Sequence, residues 1–295
     1  MNAKSLQASL LELVRRTSCD LPPDVEQAIQ RAWRKEEKET TAKYALDVIR
    51  KNIVLARENS RPICQDTGSI LFYVDAPQGF DVNAFRQAGD AAVKHATELG
   101  YLRQNSVDSL TGKNSGTNLG PGSPTYHFAQ WKRASIQVRL MLKGGGCENC
   151  GVQYALPYAA LAAGRDMAGV EKCILDATYK AQGKGCAPGI LGVCIGGDRA
   201  TGYAHSKEQL LRTLDDKNSD PALAKLEQRV MKAANSLGIG PMGFGGKTTL
   251  LGCKIGALNR LPASYFVSVS YMCWAYRRRG ALLSSAGKVS RWLYD

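Results

Sequence analysis

Three cysteines, each in a distinct local frame, carry the candidate chemistry of this 295-residue chain. Cys64 sits in Arg61-Pro62-Ile63-Cys64-Gln65-Asp66-Thr67-Gly68, Cys186 in Gly185-Cys186-Ala187-Pro188-Gly189, and Cys273 in Ser270-Tyr271-Met272-Cys273-Trp274-Ala275-Tyr276-Arg277. Four thiolates normally close an iron–sulfur cluster. Three leave one iron with an open position, which is what Lewis-acid chemistry needs. The competing reading is three buried thiols, since free cysteine behaves as a small hydrophobe. Against it, Cys64 and Cys186 lie in polar, Gly/Pro-containing frames. Gln65 and Asp66 can bind substrate or water, and gain nothing in a core.

The other reactive residues are less informative. Cys147-Glu148-Asn149-Cys150 is a CxxC motif after a strand-like segment, with no second CxxC or His pair to make a zinc site. Thiol redox chemistry stays open for it. Cys173, Cys194 and Cys253 fall in apolar helix or strand patterns and read as core residues, and Cys19 has no informative frame. His95, His127 and His205 form no catalytic arrangement in sequence. The run from Gly240 to Thr249 looks like a phosphate loop. Its spacing fails, with Pro241 where a glycine belongs, and it leads toward a strand rather than a helix. Close backbone packing is the expected use of its glycines.

The elements that must position these residues follow from periodicity. Leu6, Leu10, Leu11 and Val14, then Ala42, Ala45, Val48 and Ile49, repeat at helical spacing, and Pro22-Pro23-Asp24 starts a helix between them. A short buried strand fits 70–74, and a helix fits 83–99, ended by Gly100. Residues 103–125 form a long polar loop of the kind that is functional or disordered. Alternation predicts a strand over 136–142 running into Gly144-Gly145-Gly146. Helices are expected over 170–181 and 223–237, and strands over 190–195, 248–255 and 265–271. The fold class is therefore α/β of the mixed α+β kind, a helical N-terminal portion on a mixed-sheet body. The sequence reads as one domain over 1–295: a helical portion 1–60, a body 61–280 and a tail 281–295.

Composition bounds the rest. With 44% hydrophobic residues the chain can bury a large core. It has no apolar run of 18 residues and no secretory pattern at its N-terminus. Nine cysteines, an odd number without small-scaffold spacing, suit a reducing compartment, so a cytoplasmic location and no membrane are expected. The net charge of +13 invites nucleic acid. The basic residues are scattered, however, and the one dense run, Arg277-Arg278-Arg279, has no aromatic RNA signature beside it. Anionic metabolites or an acidic partner suit the charge better.

The cysteine frames resemble those of the class I fumarase and tartrate dehydratase family of iron–sulfur hydro-lyases. The resemblance runs in order through Pro62 to Gly68, Leu102-Arg103-Gln104-Asn105-Ser106-Val107-Asp108, Gly112 to Asn118, Lys143 to Gly146, Leu237 to Pro241, Gly245 to Thr249 and Cys273 to Arg277. It implies a [4Fe–4S] cluster on Cys64, Cys186 and Cys273. It implies that Gln65, Asp66, Arg103 and the backbone at Gly146 contact a small dicarboxylate, a role a guanidinium fork suits at Arg103. It also implies a cluster-bearing α subunit whose β partner supplies the catalytic base, in an α2β2 assembly. Two positions depart from the fumarase-like pattern: Leu261 stands where a histidine is usual, and Cys147 where serine is usual. Both bear on which substrate is taken. The split-subunit form, Cys147 and Cys273-Trp274 lean toward tartrate dehydration to oxaloacetate over fumarate hydration, while Lys143 is a fumarase-like feature. The rival from another class is a basic RNA- or partner-binding protein that keeps the fold without catalysis.

Overall fold

The computed structural model describes residues 2–295. It is a mixed α/β structure with two mixed sheets, as the pattern of elements predicts. The chain divides into two compact units. One gathers the residues up to Pro23, Lys51–Gly145 and Ala275–Asp295, and the other Asp24–Arg50 and Gly146–Trp274.

The first unit carries helix α1 (Ala3–Cys19), strand β1 (Ser69–Ala76), helix α4 (Val82–Glu98) and strands β2 (Thr125–Gln130), β3 (Ile136–Lys143), β8 (Arg277–Leu283) and β9 (Val289–Leu293). The strands form one sheet in the order β2-β1-β3-β8-β9, with β1–β2 parallel and the other pairs antiparallel. Leu6, Leu10, Leu13 and Val14 of α1 join Phe85, Ala92, Val93 and Ala96 of α4 in the core. Phe72, Val74, Val138 and Leu140 complete it from the sheet. Both helices start on a side-chain cap: Asn2 accepts the Ser5 N–H at 3.1 Å and Asp81 that of Ala84 at 2.9 Å. Residues 281–295 end β8 and form β9, whose Trp292 packs on this core.

The second unit carries α2 (Pro23–Lys35, entered at Asp24), α5 (Gly145–Asn149, from Gly146), β4 (Val152–Ala155), α6 (Met167–Lys180), β5 (Gly189–Gly196), α7 (Arg199–Gln209), α8 (Pro221–Ser236), β6 (Leu250–Leu258) and β7 (Phe266–Met272). Helix α3 (Thr41–Asn59) begins here and continues into the first unit's segment. The sheet order is β4-β7-β5-β6, with β5–β6 parallel. Helix α7 lies against β5 where a Cβ on Gly192 would meet the Ser206 carbonyl, so the glycine permits the approach.

The expected helices over 83–99, 170–181 and 223–237 and the strands from 136, 190, 248 and 265 are present within a few residues. Helix α7 escapes the periodicity because its buried face is Gly202, Ser206 and Gln209 rather than apolar. Strand β8 escapes because it opens with three arginines. Arg277, Arg278 and Arg279 are all buried, which takes the densest basic run off the surface. Among the described residues no helix is long and apolar enough to cross a membrane.

Candidate functional site

In the first unit, Cys64 lies on the loop between α3 and β1, and Ile63 pins that loop. The Ile63 N–H donates to the Ser18 carbonyl at 3.0 Å, and Asn52 Nδ2 donates to the Ile63 carbonyl at 2.9 Å. With Ile63 buried, Cys64 is left half-buried and Gln65 exposed. The Asp66 N–H reaches the Cys64 sulfur at 3.5 Å.

Thr67 couples this loop to Arg103. Its hydroxyl donates to the Arg103 carbonyl at 2.7 Å and accepts the Arg103 N–H at 2.9 Å. Asn118 holds the same carbonyl from the other side at 2.8 Å, and accepts the Asn105 N–H at 2.9 Å. Asn118 is buried in a left-handed conformation with φ 61°. The backbone of Arg103 is thus fixed while its side chain stands exposed. Asp66 accepts the Gly145 N–H at 2.6 Å and Asn105 Nδ2 at 3.4 Å. A Cβ on Gly144 would stand 2.9 Å from Asp66 Oδ2 and 3.8 Å from Arg277 Nη2, so a side chain there would push the Asp66 carboxylate out of place. Gly68, with φ 75°, turns the chain against the Lys143 carbonyl.

In the second unit, Cys186 is exposed on the loop between α6 and β5. The loop lies flat on the ring of Tyr271 in β7, since a Cβ at Gly185 or Gly189 would overlap that ring. The Trp274 N–H donates to the Cys186 carbonyl at 3.2 Å, which sets the Cys186 loop beside the end of β7. The Met242 N–H reaches the Ala187 carbonyl at 2.8 Å. Cys273 is buried, and its N–H points at the sulfur of Cys147 at 3.3 Å. Cys150 contacts the Gly146 carbonyl at 3.2 Å. Burial pushes the Tyr271 phenol well above its usual value, and the charges of Cys273, Cys147, Cys150 and Cys186 add to the effect.

The first unit therefore gathers Cys64, Gln65, Asp66 and Arg103, and the second gathers Cys186 and Cys273 with Cys147. Gly146, exposed, follows directly on the Gly145 that Asp66 holds. All nine cysteines are outside disulfides. Among the described residues, no three His, Cys, Asp or Glu side chains converge as a single metal ion requires. A cluster differs in that each thiolate takes its own iron. The donor set, three thiols in separate polar or loop-end frames, suits that arrangement.

The remaining cysteines behave as core. Burial pushes the Cys19 and Cys173 thiols up to about 11 and that of Cys194 to about 12, and raises Cys253 further. The glycine-rich run from Gly240 leads into β6, as expected, and the buried carboxylate of Glu36 clamps it. Both its oxygens accept the Lys247 N–H at 3.0 Å, and Gly246 packs against it. Leu261 is exposed on the loop after β6, whose carbonyls are gathered by Arg260 and Arg165.

Sequence reasoning did not find Thr67, Asn118, Tyr271 or Glu36. Each acts through backbone groups or glycines distant in sequence. The one available signal was the pair of glycines bracketing Cys186, which announces a close neighbour.

A profile of the family described as "Fumarate hydratase (Fumerase)" matches residues 7–281. The chain is 50% identical over 296 aligned positions, 99% of its own length, to a Geobacillus stearothermophilus protein named for fumarate hydratase class I. It spans 58% of that relative's length. It is 32% identical to a Methanocaldococcus jannaschii protein named for L(+)-tartrate dehydratase subunit alpha, covering 91% of this chain and 94% of that one. It is 31% identical to the L(+)-tartrate dehydratase subunit alpha of Escherichia coli K12, covering 80% and 76%.

Proposed function

This chain belongs to the fumarate hydratase (Fumerase) family, and on that premise we propose that it is the cluster-bearing part of a hydro-lyase acting on a four-carbon dicarboxylate. The observation that carries the reading is the clamp joining Cys64-Gln65-Asp66-Thr67 to Arg103. It gives one fixed frame to a candidate metal ligand, a carboxylate and a guanidinium, and the family match runs through all of them.

Cys64, Cys186 and Cys273 would hold a [4Fe–4S] cluster, which when bound supplies a Lewis acid for a substrate hydroxyl. The chain's own residues would do the rest of the binding. Arg103 is exposed, and its fork suits a substrate carboxylate. Asp66 has both oxygens already turned by Gly145 and Asn105, which orients it toward a hydroxyl or water. Gln65 is exposed beside it and adds a neutral donor and acceptor. The backbone at Gly146 offers an N–H without a side chain in the way. No residue here is assigned as the base. A β subunit or its equivalent would bring it, in the manner that the subunit names of the tartrate dehydratase relatives suggest.

Fumarate hydration is favoured by the 50% identical relative. Tartrate dehydration is the second reading, favoured by Cys147, where the fumarase-like pattern has serine, and by Cys273-Trp274. The test is an anaerobic turnover panel of the chain with its β partner on fumarate, malate, both tartrate enantiomers and meso-tartrate. Turnover of one substrate fixes the reaction. An intact cluster and a stable complex that turn over none of the five would refute the four-carbon assignment.

A further inference from the structure

We infer that Cys147 is a positioning residue for Cys273, holding the backbone of that cysteine in place through a hydrogen bond to its own sulfur. This rests on the reading that Cys273 holds a cluster. Cys273 follows the last residue of β7, Met272, so the sheet ladder no longer fixes its peptide. Its N–H donates to Cys147 Sγ at 3.3 Å, and both residues are buried, at 8% and 4% exposure. Inside a buried site an N–H must find an acceptor or pay its desolvation. Sulfur is a weak acceptor, yet it fills the role here because α5 presents Cys147 toward the end of β7.

The next peptide is held as well, with the Trp274 N–H on the Cys186 carbonyl at 3.2 Å. Two successive N–H groups, those of Cys273 and Trp274, are therefore held by the segments that carry Cys147 and Cys186. The Tyr271 ring supports the Cys186 loop from below. Cys273 and Cys186 thus share one backbone frame, of which Cys147 is a side-chain member. Groups that orient a metal ligand typically change metal affinity by roughly 10- to 100-fold when removed. A hydroxyl in place of the thiol would accept the same N–H, so serine is the conservative substitution and alanine the disruptive one.

The experiment compares wild type, Cys147→Ser, Cys147→Ala and Cys147→Val on the full chain. Valine fills the space without an acceptor, which guards against a cavity effect in alanine. Two readouts are taken. Amide hydrogen exchange at Cys273 is followed in the cluster-free protein, and the decay of cluster absorbance in air is followed after anaerobic reconstitution. The expected result is faster exchange at Cys273 and cluster decay about tenfold faster in alanine and valine variants, with serine close to wild type. Wild-type decay in the alanine and valine variants overturns the role while leaving the cluster reading intact. A serine variant as impaired as alanine also overturns it, because the sulfur would then act by packing alone. A wild-type chain that takes up no cluster at all removes the reading under which Cys273 is a ligand, and this inference with it.

Discussion

Arg277 and Arg279 stand two residues apart on the same face of β8, and the carboxylates lie at Arg279. That guanidinium donates to Asp20 at 2.9 Å, Asp295 at 2.7 Å and the Leu21 and Tyr294 carbonyls. At Arg277, Nε and Nη1 are buried without a hydrogen-bond partner, and the residue is 1% exposed. A paired buried charge is costly to break, whereas an unpaired one is costly to keep. Arg279→Met should therefore destabilise the chain by about 2 kcal/mol, less than a fully buried pair because Asp20 keeps Arg57. Arg277→Met should leave stability unchanged or raise it. Urea unfolding of both variants checks this, and a larger loss at Arg277 than at Arg279 would contradict the contrast.

Thr67 offers a second test, in which binding separates from folding. Thr67→Val keeps the shape and removes both bonds to the Arg103 backbone, leaving Asn118 on the carbonyl. The cost should be about 1 kcal/mol, because the partly buried Arg103 N–H loses its acceptor. Arg103 and Asp66 would lose their common frame. In the assembled enzyme KM should rise more than kcat falls, and Thr67→Ser should restore both. Unaltered KM in the valine variant would show that the clamp serves folding only.

The buried thiols make a pH-dependent prediction. Cys19 and Cys173 are pushed up to about 11 and Cys194 to about 12 by burial, against about 8.5 for an exposed thiol. Only the thiolate reacts, so alkylation of the folded, cluster-free chain near pH 8 should spare these three and reach exposed Cys186 first. The same shifts act on stability. The folded pKa values lie above the unfolded ones, so the contribution is complete below about pH 8.5 and is lost as pH climbs toward 11. Mass spectrometry of alkylated peptides and unfolding at pH 7.5 and 10 test the two halves.

Much of the fold was legible because its helices bury apolar stripes and its central strands are apolar throughout. Leu223, Leu226 and Val230 place α8, and Ile190, Leu191 and Val193 place β5. What stayed hidden had polar residues doing the burying. The arginines of β8 read as a surface patch, yet a strand between β3 and β9 encloses them. Helix α7 packs through glycine and serine, which carry no apolar period. The candidate site was legible in its cysteines and in Asp66 and Arg103. It was not legible in Thr67, Asn118 or Tyr271, because a hydrogen bond from Thr67 to a residue 36 positions away leaves no periodic trace.

The ring of Tyr271 beneath Gly185 and Gly189 has a consequence for how this protein can change over generations. The two glycines lack side chains because the ring occupies the volume where a Cβ would go. Any lineage that replaces either glycine must first shrink the aromatic ring, and one that shrinks the ring gains an unfilled hollow under the loop of Cys186. The three positions are thus sterically coupled, so that a change at one calls for a change at another. Within the loop, only Ala187 and Pro188 neither lie over the ring nor hold the candidate ligand, so change that keeps the site is left to those two positions.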